Sequence, residues 1–540
     1  MASLLAILLS ASAVLGAPQS PIIESHGPNE ESARAAAPHI FNALHSSMRQ
    51  WGSSLNHNGM SFFPATIPAH TDFYHGTHTI EPVTGTEWLA FEIEHAENFA
   101  RGGRGGSGRG PGGGPPHGPP PSEMEEFVSR PELRRKRDES EQATTPALHH
   151  YRTAHDMRVL YLDGMSAGKT SMGTLDQQEY VLCNLTEDVA SRSTAEAQVG
   201  PGGPPGDAIF AIQMCRDFGH VVEGIVRMEA GFEVILCNFS TSLDFISATP
   251  RPQADGPEYS SNELRQFEFI RGIGYRYQGI TAGRVQVDYS HIVSAFFYNI
   301  NITNPDPAKP SLPRLSSADP ESLKEIKAEV LSVLSKSSKA PSIDWQGVVD
   351  LIVTRYSDRL QFMALPTASH SSFLEELNFL LNIYINYSNP SIPTSISRCT
   401  THYLDGLPLS TDADHLLYAA VSNVTSTLCN KLFSLRSSLL ESNTTVTLEA
   451  AKDEINDLTS YLGWTTWLEC GKCAYDEVCF VAIWPFGGVK EHEKPSCVPR
   501  DEVGSKRGYW EGGPGGGPGS QPGGGGDGPG GHRGDGIWEF

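Results

Sequence analysis

Three stretches in the first half of the chain carry residues that could do chemistry. The first is Tyr74-His75-Gly76-Thr77, where a strand ending in a turn would set an imidazole and free backbone amides at the mouth of a cleft. Trp88, on the next predicted strand, offers an aromatic face for stacking. In residues 231–236, Glu233 lies between apolar residues, where an unpartnered carboxylate is costly to bury. These residue types suit the polar edges of a dinucleotide.

Two competing patterns are weaker as sites of chemistry. Residues 163–170 resemble a phosphate-binding loop, but Asp163 stands where the pattern requires glycine, and its carboxylate would repel a phosphate. Glu179 lies on an alternative acidic strand, yet it is close in sequence to His75 once the low-complexity segment between them is discounted. Glu233 is therefore the preferred acidic candidate.

The pattern of apolar residues predicts a chain of mixed structure. Short buried strands are predicted at residues 62–63, 73–74, 159–162, 180–182 and 234–236, and strand-like alternation continues over residues 255–300. Helices are predicted at residues 95–100, 212–219, 320–338, 345–360, 372–385, 414–440 and 448–462. Ser316, Ser317 and Asp319 offer N-cap chemistry for the third of these helices.

The N-terminus and several tripeptides indicate an exported glycoprotein. Residues 1–17 carry an apolar core followed by small residues, which is typical of a secretory signal peptide. No later stretch reaches the roughly 18 apolar residues of a membrane-spanning helix. Asn-x-Ser/Thr tripeptides predict N-glycosylation at Asn184, Asn238, Asn301, Asn386, Asn423 and Asn443. We therefore expect a secreted, extracellular protein.

Composition restricts the partners and marks the low-complexity segments. The net charge of −23 argues against nucleic acid or an anionic membrane surface as partner. Residues 101–121 are rich in Gly, Arg and Pro, and polar residues continue to position 145, so the segment cannot form a core and we expect a disordered insertion. Within it, the basic run that ends at Arg137 predicts cleavage by a kexin-like protease. Residues 508–540 are expected to form a disordered Gly-rich tail.

The 9 cysteines fall into three groups, of which the first consists of Cys183, Cys215 and Cys237. Secretion favours disulfides, and because the number of cysteines is odd, at least one is left over. Pairing within groups would leave one of the first three free, and we expect it to be a buried thiol. We expect a disulfide between Cys399 and Cys429, and disulfides among the cysteines of the last group. That last group consists of Cys470, Cys473, Cys479 and Cys497. Its C-x2-C-x5-C-x17-C spacing also fits zinc as the alternative, but disulfides are preferred and no metal is expected.

The three stretches resemble the diphtheria-toxin-like and PARP-like branch of the ADP-ribosyltransferase superfamily. That branch carries a His-Gly-Thr/Ser turn, an aromatic-containing strand leading to a helix with a buried Ala, and a later strand with the catalytic Glu. The resemblance implies NAD as candidate substrate, held by His75, Gly76 and Thr77. It implies that Trp88, where Tyr is usual, supports the nicotinamide ring, and that Glu233 is the catalytic residue.

The fold class that follows is α+β. A split-sheet, ADP-ribosyltransferase-like domain is expected over residues 40–300, an α-helical domain over residues 314–465 and a small Cys-rich module over residues 466–500. Stretches such as residues 50–60 and 163–169 also resemble a group of uncharacterised secreted proteins of filamentous fungi, and this resemblance spans most of the chain. Two functions follow as expectations: an NAD-consuming ADP-ribosyltransferase or NAD glycohydrolase, or a non-catalytic structural or binding protein of the cell wall or extracellular matrix.

Overall fold

The computed structural model describes most of the two predicted domains and the Cys-rich module. The described residues are 27–56, 59–100, 145–166, 177–183, 207–251, 262–280, 283–307, 310–336, 342–440, 447–483, 486–506 and 509. The predicted signal peptide, residues 101–144 with the basic run ending at Arg137, the sequons at Asn184 and Asn443, and the tail apart from Tyr509 lie outside them.

The N-terminal half is built on one mixed sheet. Its strands are β1 Ser61–Ile67, β2 Asp72–Thr77, β3 Glu87–Ala90, β4 Ala147–Thr153, β5 Met157–Leu162, β6 Gly224–Met228, β7 Phe232–Leu236, β8 Leu243–Pro250, β9 Gln286–Val287 and β10 Val293–Ser294. Across the described residues the order is β10-β1-β5-β6-β7-β3-β2-β4-β8, and β9 also pairs with β1. The β5–β6 pair is parallel, and the other strand pairs among the described residues of this sheet are antiparallel.

Helices cover this sheet and form most of the second half. Those of the first half are α1 Glu30–Ala35, α2 Ala37–Ser46, α3 Gln50–Leu55, α4 Ile93–Glu97, α5 Gln177–Leu182, α6 Asp207–Phe218, α7 Phe239–Ser242 and α8 Asn262–Gly274. Those of the second half are α9 Pro320–Ser335, α10 Trp345–Ala364, α11 His370–Leu381, α12 Ile392–Thr401, α13 Asp412–Leu440 and α14 Leu448–Leu462. None of the helices in the described ranges combines the length and the apolar sequence that a bilayer span requires.

The helical second half follows from local sequence signals. The apolar positions of α9 recur at helical spacing and are buried, among them Leu323, Ile326 and Val330. Asp319 is the N-cap of α9, and its carboxylate accepts a hydrogen bond from the Ser322 amide at 2.9 Å. The predicted helical region and its cap are therefore confirmed, as is the α+β character of the chain.

The closing module adds strands β11 Glu477–Phe480 and β12 Ser496–Pro499, which pair with each other, and the short helices α15 Val489–Glu493 and α16 Arg500–Val503. Disulfides link Cys470 to Cys479 and Cys473 to Cys497. All four cysteines of this group are thus paired in disulfides, as preferred over the zinc alternative. Two further disulfides lie within the two larger regions: Cys215–Cys237 in the N-terminal half and Cys399–Cys429 in the helical second half. Cys183 is buried.

Three predictions of local structure are wrong. Residues 180–182 belong to helix α5 rather than to a strand, and residues 262–274 form helix α8 inside the stretch expected to alternate as strands. Short apolar runs do not distinguish a buried strand from a buried helix, because both bury every side chain. His75, Gly76 and Thr77 do not form a turn: they continue strand β2 and pair with His149, Leu148 and Ala147 of β4.

Candidate functional site

The structure separates His75 from the other predicted site residues. Tyr74 of β2 pairs with Ala90 of β3, and Ala90 pairs with Glu233 of β7. Side chains alternate between the faces of a sheet, so Trp88, Ala90 and Glu233 share one face and His75 points to the other. His75 Nδ1 lies 2.7 Å from Trp88 O, which ties the imidazole to the neighbouring strand. The predicted His75–Trp88–Glu233 cleft does not form.

Glu233 has a partner within the sheet. Its Oε1 accepts a hydrogen bond from Arg227 Nε at 2.8 Å, and the side chains of Arg227 and Glu233 are 0% and 7% exposed. The two residues face each other across β6 and β7. A buried pair of this kind leaves each charge compensated by the other. The arrangement gives Glu233 a structural role inside the protein.

Gly76 is where helix α4 approaches the sheet. A Cβ atom at Gly76 would lie 2.1 Å from Ala96 O and 2.6 Å from Ala100 N. Ala90, Ala96 and Ala100 are buried together beside Tyr74, and their small side chains allow the same close approach. The glycine of the His-Gly-Thr stretch therefore serves packing: it lets the C-terminal end of α4, the helix that begins just after β3, lie directly against β2.

That placement creates a different site, which we call the Glu92 cleft. It is an open pocket with a volume of about 500 Å³, lined by residues that follow β3, precede β2 and surround the end of α8. Its polar lining residues include Asp72, Glu92, Glu94, Tyr275, Arg276 and Arg284. A sizeable cleft with convergent polar groups is the usual form of a small-molecule site.

Glu92 lies between the last residue of β3 and the first residue of α4. Its side chain is 3% exposed, and no other described residue donates a hydrogen bond to either carboxylate oxygen. Burial raises the pKa of Glu92 to about 7, against the opposing effect of Arg284 and Arg276, which lower it. Carboxyl groups held in this way in a cleft are typical of functional sites.

Two arginines face this carboxyl group. Arg276 Nε lies 3.8 Å from Glu92 Oε1, which is an ion pair but too long for a hydrogen bond. Arg284 Nη1 donates to Phe91 O at 3.2 Å, and its guanidinium lies 5.2 Å from the centre of the Phe91 ring. Within the described residues, neither Arg276 Nε nor Arg284 Nη2 has an acceptor. Both cations line the pocket and each keeps a buried N–H group that no described residue accepts.

His95 lies one turn of α4 beyond Glu92 and is fully buried. Burial lowers the pKa of His95 to about 4, so the imidazole is neutral at physiological pH. Its Nδ1 has no hydrogen-bond partner among the described residues. A Cβ atom at Gly231 would lie 2.9 Å from His95 Nδ1 and 3.5 Å from Glu92 Oε2. The glycine leaves both side chains the space they occupy.

At the rim of the cleft, Asp72 is already engaged. Its Oδ1 accepts from Arg152 Nε at 2.7 Å and lies 3.1 Å from His150 Nε2. The hydrogen bond from Arg152, and then that from His150, lowers the pKa of Asp72 against the effect of its partial burial. Asp72 is therefore ionised and neutralised at the rim, while Glu92 at the base is the group able to change its charge.

Sequence reasoning missed the residues of this cleft, although one signal for Glu92 was present. Glu92 stands between Phe91 and Ile93 at the end of an apolar strand, which is the argument that singled out Glu233. Arg276 and Arg284 carried no comparable signal, because they lie in a region predicted as strands that proves to be the end of α8 and the loop after it.

Comparison with known proteins places part of the chain in context. Residues 31–256 match the model of a protein family described as the YPL277C N-terminal domain. The matched range contains Glu92, His95 and Gly231 and ends before Arg276 and Arg284.

Two relatives come from Saccharomyces cerevisiae. The uncharacterized protein YOR389W is 26% identical over 533 residues, which cover 82% of this chain and 81% of the relative. The uncharacterized protein YPL277C is 34% identical over 212 residues, which cover 37% of this chain and 40% of the relative. No solved structure matches the chain.

These findings correct the predicted ADP-ribosyltransferase resemblance. The matching family is the YPL277C N-terminal domain and not a family of ADP-ribosyltransferases. The geometry supplies the physical reason, since His75 lies on the sheet face opposite Trp88 and Glu233. NAD as substrate and the expected lack of a metal stay predictions that the structure does not test.

Proposed function

We propose that the Glu92 cleft binds a small anionic molecule and that Glu92 exchanges a proton with it. The observation that carries this proposal is one juxtaposition: a buried carboxyl group without a hydrogen-bond donor faces two guanidinium groups with unused donors in an open cleft. Guanidinium groups bind carboxylate and phosphate oxygens well, because their planar N–H groups match the geometry of those anions.

The ionisation of Glu92 suits a proton-transfer role. A carboxyl group with a pKa of about 7 is half protonated at neutral pH, so it can act either as an acid or as a base. His95 beneath it is neutral and adds no charge. The proposed activity is therefore general acid–base chemistry on a ligand whose anionic group lies between Arg276 and Arg284.

Proton uptake on binding tests this proposal. An anion bound next to Glu92 disfavours the ionised carboxylate, so at pH 7 we expect binding to take up a fraction of a proton. Calorimetric titration of the full chain with glucuronate, citrate and inorganic phosphate, each in two buffers of different ionisation enthalpy, measures that uptake. In Glu92→Gln the uptake should disappear, and in Arg276→Gln the affinity should fall about tenfold, the loss of one charge-assisted hydrogen bond.

Glu81→Gln is the matched control, since Glu81 is an exposed glutamate outside the cleft. It should bind and take up protons like the natural protein. Failure of all three anions to bind would contradict the proposal. Binding with the same proton uptake in Glu92→Gln would remove Glu92 from the mechanism and favour the alternative, a non-catalytic binding protein.

We further propose that the protein works outside the cell as a secreted glycoprotein. The signal-like residues 1–17 and the sequons support this, and Asn238, Asn301 and Asn386 are exposed. Four disulfides in the described residues suit an oxidising compartment. Kexin-like cleavage after Arg137 remains part of this proposal, because that segment lies outside the described residues.

A further inference from the structure

A line of exposed aromatic side chains continues the Glu92 cleft onto the Cys-rich module. Tyr275 lines the cleft just after α8 and is 64% exposed, and Tyr475 of the module is 84% exposed. The Arg271 guanidinium lies 5.9 Å from the centre of the Tyr275 ring and 4.8 Å from that of Tyr475. We call these three side chains the tyrosine ledge.

The ledge is held in position although it is exposed. Arg271 Nε donates a hydrogen bond to the Tyr275 hydroxyl at 2.8 Å. Tyr475 lies between Cys473 and Cys479, each of which is in a disulfide. A fixed aromatic ring loses little conformational freedom when a ligand stacks on it, so its exposed face is available for binding.

The shape of the ledge fits a sugar ring. A tyrosine presents an apolar face and a polar hydroxyl at its edge. A pyranose has the complementary pattern, with C–H groups on a face and hydroxyls around the rim. Stacking therefore buries the apolar faces while the hydroxyls of both partners stay available for hydrogen bonds.

The charge along the cleft and ledge favours an acidic sugar. Arg271, Arg276 and Arg284 contribute three cations, against Glu94, a half-ionised Glu92 and the exposed Asp476 next to Tyr475. Asp72 is neutralised by Arg152. This locally positive surface belongs to a chain whose net charge is −23, so it is set apart from the rest of the protein.

We propose that the Glu92 cleft and the tyrosine ledge together bind an acidic oligosaccharide. The carboxylate of one uronic acid unit lies between Arg276 and Arg284, and a neighbouring ring stacks on Tyr275 and Tyr475. This inference rests on the proposed function of the cleft and names its class of ligand. It also gives the Cys-rich module a role, which is to hold one end of the ligand.

Calorimetric titration of the full chain with glucuronate, a tetragalacturonate and the neutral maltotetraose tests the inference. The acidic tetramer should bind about tenfold more tightly than the monomer, a gain of about 1.4 kcal/mol that is within the range expected for ring stacking. Tyr475→Ala should remove that gain and leave the affinity for glucuronate unchanged. Tyr387→Ala is the matched control, since Tyr387 is 65% exposed on the helical half, and it should change neither affinity.

Each result has one meaning. Equal affinity for the monomer and the acidic tetramer, or an equal effect of Tyr475→Ala and Tyr387→Ala, would overturn the ledge while leaving anion binding by the cleft intact. Equal affinity for the neutral and the acidic tetramer would overturn the charge argument. If the natural protein binds citrate or phosphate but neither glucuronate nor the acidic tetramer, the acidic-sugar inference is overturned and the proposed function stands; if it binds none of these anions, the proposed function itself is contradicted.

Discussion

At the scale of single residues, the chemistry of this protein depends on how burial changes a carboxyl group. Glu233 and Glu92 are both acidic residues with apolar neighbours in the sequence, yet their surroundings in the structure differ. Glu233 is neutralised by Arg227 at 2.8 Å. Glu92 lies 3.8 Å from its nearest cation, has no other residue donating to it in the described ranges, and faces a cleft. A closely paired cation gives Glu233 a structural role, whereas Glu92 has no such partner and can interact with a ligand.

Glu92 should therefore make stability depend on pH. Its pKa is raised to about 7 from an ordinary value of 4.5, so the folded protein holds this proton more tightly than the unfolded chain. The stabilisation is complete below about pH 4.5 and is lost as the pH rises through about 7. Between these limits we expect the free energy of unfolding to fall by about 3 kcal/mol more in the natural protein than in Glu92→Gln.

Chemical denaturation at a series of pH values measures this difference, with Glu81→Gln as the control that keeps the natural slope. Comparison with a variant is needed because Glu87 and Asp163, whose pKa values burial also raises to about 7, act in the same direction. Parallel curves for the natural protein and Glu92→Gln would show that Glu92 is not buried as described.

At the scale of elements, the site depends on how closely helix α4 packs on strand β2. Gly76 and the alanines at positions 90, 96 and 100 allow the contact. The contact is made by the C-terminal end of α4, and Glu92 directly precedes the first residue of the same helix. The His-Gly-Thr stretch thus contributes to the site through packing rather than through direct contact with a ligand.

Gly76→Ala should be strongly destabilising. The new Cβ would lie 2.1 Å from Ala96 O, a backbone atom that cannot move without displacing α4. Overpacking of this kind costs about 1–3 kcal/mol or more, so the melting temperature should fall by several degrees. Gly471→Ala is the matched control, because a Cβ there meets no atom within 4 Å. Equal melting temperatures for the two variants would contradict the close packing of α4.

At the scale of the whole molecule, the fold determines which sequons are accessible. Asn238, Asn301 and Asn386 are exposed, whereas Asn423 lies inside helix α13. Its side-chain amide donates to Arg34 O of helix α1 at 3.0 Å. The hydroxyl of Thr425, the third residue of that sequon, bonds to Thr400 O at 2.9 Å and is buried. A glycan on Asn423 would separate α1 from α13.

Glycan occupancy on protein recovered from culture medium tests both the accessibility and the export. Peptide mass spectrometry after enzymatic deglycosylation should show modified Asn238, Asn301 and Asn386, with Asn423 unmodified. Substitution Asn386→Gln should remove one glycan and leave secretion unchanged, whereas retention of the natural protein inside the cell would contradict the proposed export. Full occupancy of Asn423 would contradict the packing of α13 on α1.

The sequence by itself determined the features that depend on local pattern. Helical spacing of apolar residues predicted the helices of the second half, and Asp319 was among the caps it suggested, because helix formation and capping depend on residues within a few positions of one another. Sequence also placed the cysteines in groups, and all four disulfides form within those groups.

Only the tertiary structure decided which residues form the site. Strand register set His75 on the face opposite Trp88 and Glu233, and a shift of one residue would have reversed that outcome. Packing of α4 and α8 brought Glu92 together with Arg276 and Arg284, which are far apart in the chain. Contacts of that kind depend on strand register and helix packing across the whole sheet, so a local pattern of residues does not predict them.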